Sequence, residues 1–392
     1  MISISTLYCG QELVSHQLRY GQPDPTRGPI TVFNCTQKCN LRCVHCYNAN
    51  VPAEGELTTK EAKSLIDDLA AVKAPAILFS GGEPTLRPDL QELMAHAVSY
   101  GIRPTISTNG TLINAKLAEQ FRQAGVAYVG ISIDGLKATH DEFRRCAGSF
   151  ERALEGVAHC RAAGVKVGLR MTLSAYNHMQ VAGVFDLLVE HDIQRICFYH
   201  LVYSGRGAEL LANDLTAQQR RDVLDLIMDR TEELHRSGKP VEVLTVDNHA
   251  DGPYLYMRLL QRDRQRAEKA MELLKLNRGN ASGVRLVCVK SNGDVYPDQF
   301  WQTQLLGNLR SKRFVDIWTD PANELLRGLR QFPRPLSGPR CANCRWLDIC
   351  NGNFRARAES ITGDVWGDDP ACQLTDEEIG LKASATAETR VK

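Results

Sequence analysis

From residue 29 to 205, short β-rich runs alternate with amphipathic helical stretches, and this alternation limits the fold more than any other feature. Candidate strands cover 30–33, 76–79, 103–107, 128–133, 166–172 and 196–200. Helical patterns cover 59–72, 89–100, 114–124, 150–163 and 180–191. In the first of these, Ala62, Leu65, Ile66 and Leu69 fall on one stripe, with Thr58 or Thr59 available as cap. Gly101, Gly125 and Gly164 follow three of the helices, where a left-handed cap is wanted. Six β-α units in series imply a parallel sheet with right-handed crossovers. Six rather than eight predicts an α/β fold built as an open, partial (β/α)6 TIM-type barrel. In such barrels the chemistry sits at the C-terminal ends of the strands.

The loop after the first candidate strand holds Cys39, Cys43 and Cys46, spaced C-x3-C-x2-C. A tetrahedral zinc or a plain ferredoxin cluster normally takes four protein ligands. Three thiols on one short loop therefore predict a [4Fe–4S] cube with one iron left open, and an open metal position marks a catalytic site. With His45 before the last cysteine and Tyr47 after it, the loop resembles that of the radical S-adenosylmethionine (SAM) superfamily. The resemblance implies that SAM chelates the open iron and yields a 5′-deoxyadenosyl radical, which abstracts hydrogen from an unreactive C–H bond.

Gly81-Gly82-Glu83-Pro84 follows the second candidate strand. Glycines allow close backbone approach and positive φ. The run is similar to the GGEP motif of the superfamily, where backbone carbonyls and Glu83 would accept the SAM ammonium. Ser107 and Asn109 end the third strand, and Ser132 and Asp134 end the fourth. They resemble the superfamily's SAM-contacting rims, and an ordinary βα turn is the alternative. Arg170, on the fifth strand, offers a planar fork to the SAM carboxylate, or a structural ion pair.

The chain has 13 cysteines. Such a number in a protein expected to be cytoplasmic argues for metal or redox chemistry rather than disulfides. Cys341, Cys344, Cys350 and Cys372 form a second group, and four thiols can close a cluster or a zinc site completely. The spacing resembles the outer cluster of SPASM-type radical SAM extensions. Two positions where that pattern has further cysteines are Asp298 and Phe354, and Cys288 alone survives as a candidate ligand. One auxiliary [4Fe–4S] cluster is expected, not two.

Over nearly the whole chain the resemblance narrows to the 12,18-didecarboxysiroheme deacetylase family of the sirohaem-dependent haem pathway. It rests on Leu18-Arg-Tyr-Gly21, Gly55-Glu-Leu-Thr-Thr59, the run from Gly130 to Arg144, Val246-Asp-Asn-His-Ala-Asp251 and Asp294-Val-Tyr-Pro-Asp298. The haem d1 biosynthesis radical SAM enzymes share these motifs, and the N-terminal segment favours the haem branch. The resemblance implies removal of two acetate side chains from an iron tetrapyrrole to give Fe-coproporphyrin III, with an electron donor such as ferredoxin or flavodoxin. Substrate candidates are Tyr199, His200, Tyr203 and Arg206 after the sixth strand, and His249. A neutral imidazole would ligate the substrate iron and Arg206 would hold a propionate; a packed or hydrogen-bonded role is the alternative for each.

Three rivals are weighed. A peptide-modifying SPASM enzyme often carries an N-terminal recognition domain, and about 28 residues before the first strand are too few for one. A molybdenum-cofactor GTP cyclase has a three-cysteine C-terminal cluster and ends Gly-Gly, whereas this chain has Cys372 and ends Arg-Val-Lys. A non-enzymatic electron carrier needs neither an open iron nor a GGEP loop. The 47 basic and 46 acidic residues are balanced, so nothing points to nucleic acid or an anionic membrane. No secretory signal or transmembrane stretch is expected. The expected organisation is an N-terminal segment over 1–28, the barrel over 29–205 and a helical connection over 206–283. A SPASM-like domain over 284–375 and a polar tail over 376–392, disordered from about Ala383, complete it.

Overall fold

The computed structural model describes residues 1–12, 19–22, 24, 26–49 and 55–381. The strands are β1 (Ile2–Ser3), β2 (Ile30–Thr36), β3 (Ala76–Gly81), β4 (Arg103–Thr108), β5 (Tyr128–Ser132), β6 (Val167–Leu173) and β7 (Arg195–His200). They continue with β8 (Glu242–Val246), β9 (Leu286–Val289), β10 (Asp294–Tyr296) and β11 (Gly307–Asn308). All eleven form one sheet in the order β1-β8-β7-β6-β5-β4-β3-β2-β9-β10-β11. From β8 to β2 every neighbouring pair is parallel, and β9 extends that parallel run beside β2. Antiparallel strands close the edges, β1 on β8 and β10–β11 beyond β9.

The six predicted strands are β2 to β7. The helices between them form where the apolar spacing places them. Helix Thr59–Ala71 buries Ala62, Leu65, Ile66 and Leu69, and Thr58 with Glu61 makes a full capping box at its start. Each such apolar side chain contributes roughly 1.5–3 kcal/mol on burial. Gly101, Gly125 and Gly164 all take positive φ after their helices. The Asn292-Gly293 turn joins β9 to β10, with Gly293 at φ +89°.

The structure adds elements the sequence pattern hid. Segment 206–283, read as a helical connection, also contributes β8 to the sheet. The second half of that segment folds as two helices, Asp251–Leu260 and Arg264–Asn277. The break falls at Asp263, whose carboxylate accepts the Arg266 amide and caps the second helix. Helix Lys137–Arg144 was not anticipated and presents Arg144 to the strand ends. The tail from Ala383 lies outside the described residues.

Candidate active site and iron–sulfur ligands

The loop leaving β2 carries Cys39, Cys43 and Cys46 to one wall of a cavity of about 440 Å³. The cavity lies at the C-terminal ends of the parallel strands. Gly81 and Gly82 line it from β3, Ser107 and Asn109 from β4, Ser132 and Asp134 from β5, Arg170 from β6, and Tyr199 and His200 from β7. Six consecutive strands thus deliver residues to one mouth, as the barrel rule requires.

The Gly81-Gly82 pair grips the cysteine loop through its backbone. The Gly82 amide donates to Thr36 O at 2.7 Å and the Glu83 amide to Lys38 O at 2.7 Å. A Cβ on Gly82 would stand 2.2 Å from Lys38 O, and Gly81 sits at φ +125°. Glycine is required at both positions. Glu83 itself is buried outside the cavity wall. Its carboxylate accepts from Thr85 Oγ1 at 2.7 Å, Thr108 Oγ1 at 2.7 Å and the Asn109 amide at 2.8 Å. It therefore ties the β3 loop to the β4 loop, and its oxygens are spent on protein donors rather than turned to a ligand ammonium. Pro84 opens a short 3-10 turn, also away from the wall.

Arg170 crosses the cavity floor. Its Nη1 donates to Ser107 Oγ at 3.1 Å, its guanidinium lies 5.7 Å from the Tyr199 ring centre, and no acidic side chain among the described residues pairs with it. Gly130 makes room, because a Cβ there would meet Arg170 Nε at 2.2 Å. Asp134 has a different setting. Its Oδ2 pairs with Arg144 at 2.5 Å and with His45 at 3.5 Å, and its Oδ1 accepts the Thr172 amide. Arg144, held this way, donates to Cys43 Sγ at 3.5 Å. Asp134 thus acts on the cysteine loop through Arg144.

The substrate candidates divide. Arg206 lines the cavity and donates from Nε to Cys43 O at 2.8 Å. Tyr199 also lines it. His200 belongs to the wall, but its Nε2 is bound at 2.9 Å to the buried Asp251. Tyr203 lies outside the wall and donates to Asp214. His249 is buried elsewhere, with Nε2 2.7 Å from the Met1 amine, so neither Tyr203 nor His249 faces the cavity. Arg42, Arg144, Gln299 and Phe300 join the lining without having been anticipated. Arginines are common on surfaces, and only their placement distinguishes these two.

The cysteines fit a cluster. Burial pushes the Cys39 thiol up to about 11, with Cys43 and Cys46 as close electrostatic neighbours. Three thiols carried to one cavity wall, with Arg144 donating to Cys43 Sγ, fit an iron–sulfur cluster that leaves one iron to another ligand. In the C-terminal domain Cys350 neighbours Cys372, Cys341 and Cys344, and burial raises its thiol far above the ordinary range. Metal coordination offsets that cost by holding the thiolate. Asp298 and Phe354 serve packing instead. Asp298 accepts the Phe300 and Trp301 amides, and Phe354 is buried against Phe300. Cys288 is buried within β9.

Comparison with known proteins agrees with this geometry. Residues 33–188 match the Radical SAM superfamily, and residues 282–345 match SPASM, an iron-sulfur cluster-binding domain. The chain is 50% identical to the Fe-coproporphyrin III synthase of Methanosarcina barkeri, covering 97% of this chain and 99% of that one. It is 39% identical to the pre-heme d1 synthase of Dinoroseobacter shibae, covering 91% and 88%. The crystal structure of Streptococcus suis SuiB bound to S-adenosylmethionine shares the fold with a TM-score of 0.72 at 19% identity, covering 92% and 80%. With half of its residues shared with one relative over nearly the full length of both, and both family models matched, the chain belongs to the radical SAM superfamily and carries its SPASM extension.

Proposed function

We propose that the enzyme removes two acetate side chains from 12,18-didecarboxysiroheme and forms Fe-coproporphyrin III. The observation that carries this reading is the 50% identity to Fe-coproporphyrin III synthase along almost the entire length of both chains. Cys39, Cys43 and Cys46 would hold the [4Fe–4S] cluster, and Cys341, Cys344, Cys350 and Cys372 the auxiliary one. When bound, the cluster and SAM supply a 5′-deoxyadenosyl radical for hydrogen abstraction. The chain's own residues orient and shield. Arg170, which has no acidic partner among the described residues, offers its guanidinium to the methionyl carboxylate, and Ser107, Asn109 and Ser132 offer hydroxyl and amide groups at the same rim. Gly81 and Gly82 fix the cysteine loop beneath them. Phe300, from the C-terminal domain, packs on Tyr47 with ring centres 5.0 Å apart and narrows water access from that side.

Electrons would come from a small cytoplasmic carrier such as ferredoxin or flavodoxin. No described helix is long and apolar enough to cross a membrane. An anaerobic assay with SAM, dithionite and 12,18-didecarboxysiroheme, read by mass spectrometry, tests the reading. The expected products are 5′-deoxyadenosine and Fe-coproporphyrin III. A product retaining either acetate group would contradict it.

A further inference from the structure

The cavity's charges do not balance. Among the described residues that line it, the arginines are Arg42, Arg144, Arg170 and Arg206, and the carboxylate is Asp134. Asp134 is already paired with Arg144 at 2.5 Å. Arg42 is exposed at the wall, with no hydrogen-bond or ion-pair partner among the described residues. Arg206 spends Nε on Cys43 O at 2.8 Å, and its terminal nitrogens have no acceptor among the described residues. SAM does not correct the imbalance. It brings one carboxylate, for which Arg170 is placed, but also an ammonium and a sulfonium.

Arg206 is built into position rather than free to swing. Its amide donates to Cys46 O at 3.0 Å. The preceding Gly205 has φ +57° and lies so close that a Cβ would meet Cys46 O at 2.5 Å. The turn is moulded onto the cysteine loop, and the fork of Arg206 emerges beside Cys43. Arg42 precedes Cys43 on the same loop. Arg206, with two uncommitted terminal nitrogens, and Arg42, with no side-chain partner among the described residues, thus line the same cavity next to the middle cysteine of the loop. Planar forks of this kind bind carboxylates in two-point fashion.

We infer that Arg42 and Arg206 form a carboxylate clamp that seats the substrate by two of its acidic side chains, so the mouth selects polycarboxylate tetrapyrroles over neutral ones. This rests on the proposed function, because it assumes a tetrapyrrole in the cavity. The clamp positions the macrocycle edge beside the cluster loop, leaving the side chain to be cleaved directed inward.

The test uses the cluster-loaded enzyme with SAM, titrated anaerobically with Fe-coproporphyrin III and with its neutral tetraamide, and followed by visible absorbance. The acid is expected to bind at least about tenfold more tightly than the amide. Arg42→Gln and Arg206→Gln should each narrow that ratio several-fold, chiefly through the acid. Arg206→Lys, which keeps the charge, should restore part of it. Equal affinity of the unaltered enzyme for acid and amide would overturn the clamp and leave the tetrapyrrole reading standing. Variants that weaken acid and amide alike would also overturn it, since that marks damage to the loop. Failure of both ligands to bind the unaltered enzyme would overturn clamp and function together.

Discussion

Arg144 is the cation that donates to the sulfur of Cys43. Buried, it keeps its charge because Asp134 lies 2.5 Å away, and it points a second nitrogen at Cys43 Sγ. A cationic donor on a cluster sulfur stabilises the more negative, reduced state. Arg144→Gln is expected to shift the reduction midpoint of the SAM-binding cluster to lower potential, measured by a redox titration followed by electron paramagnetic resonance. An unmoved midpoint in a variant with full iron content would show that the guanidinium does not act on the cluster. Asp247 supplies a pH test. Burial pushes its carboxyl up from 3.8 to about 7. The folded state thus holds a proton that the unfolded chain releases earlier, so its stabilising effect is complete below about pH 4 and is lost as pH rises through about 7. Asp247→Asn also tolerates the φ of +66° at this position. The variant should flatten the fall in urea midpoint between about pH 5 and 7 relative to the unaltered protein, and parallel curves would contradict this. The cysteines were legible because their spacing alone encodes a ligand set. Glu83 stands out by its motif, Tyr203 and His249 by residue type, and neither signal reveals that each already has a protein partner. Arg42 and Arg144 carried no such signal, since only burial and missing partners set them apart.

Local periodicity made the elements legible. β2 to β7 and their helices follow from apolar spacing, caps and terminal glycines. β8 escaped because five residues lie between two charged helices, and β1 because two residues carry no period. The β3 turn gives the sharpest test at this scale. Gly82→Ala should displace the cysteine loop, because its Cβ cannot coexist with Lys38 O at 2.2 Å. The purified variant should lose iron at the barrel cluster while the auxiliary cluster remains. Gly164→Ala is the control. It adds a Cβ at φ +75° with nothing within 4 Å, so it should cost only about 1–2 kcal/mol and keep its iron. Equal iron content in both variants would show that the glycine grip does not hold the loop.

The barrel and the cysteine-rich domain are fastened by a buried ion pair. Arg357 binds Asp369 through Nε at 2.8 Å and Nη2 at 2.9 Å, and also reaches Leu201 O and Asp247 O at the strand ends. Both side chains are fully buried. Arg357→Ala strands a carboxylate and two backbone carbonyls, and should destabilise the protein by about 3–5 kcal/mol in denaturant unfolding. A change below about 1 kcal/mol would mean water or rearrangement replaces the pair. Two clusters of four irons imply about eight irons per chain after anaerobic reconstitution. In the proposed function the chemistry depends on an iron site left open by Cys39, Cys43 and Cys46. Electron paramagnetic resonance of the reduced enzyme, recorded in a Cys344→Ala background with and without SAM, examines that site directly. The expected result is a change in the cluster signal when SAM is added. An identical spectrum from a protein with a fully occupied barrel cluster would contradict the account.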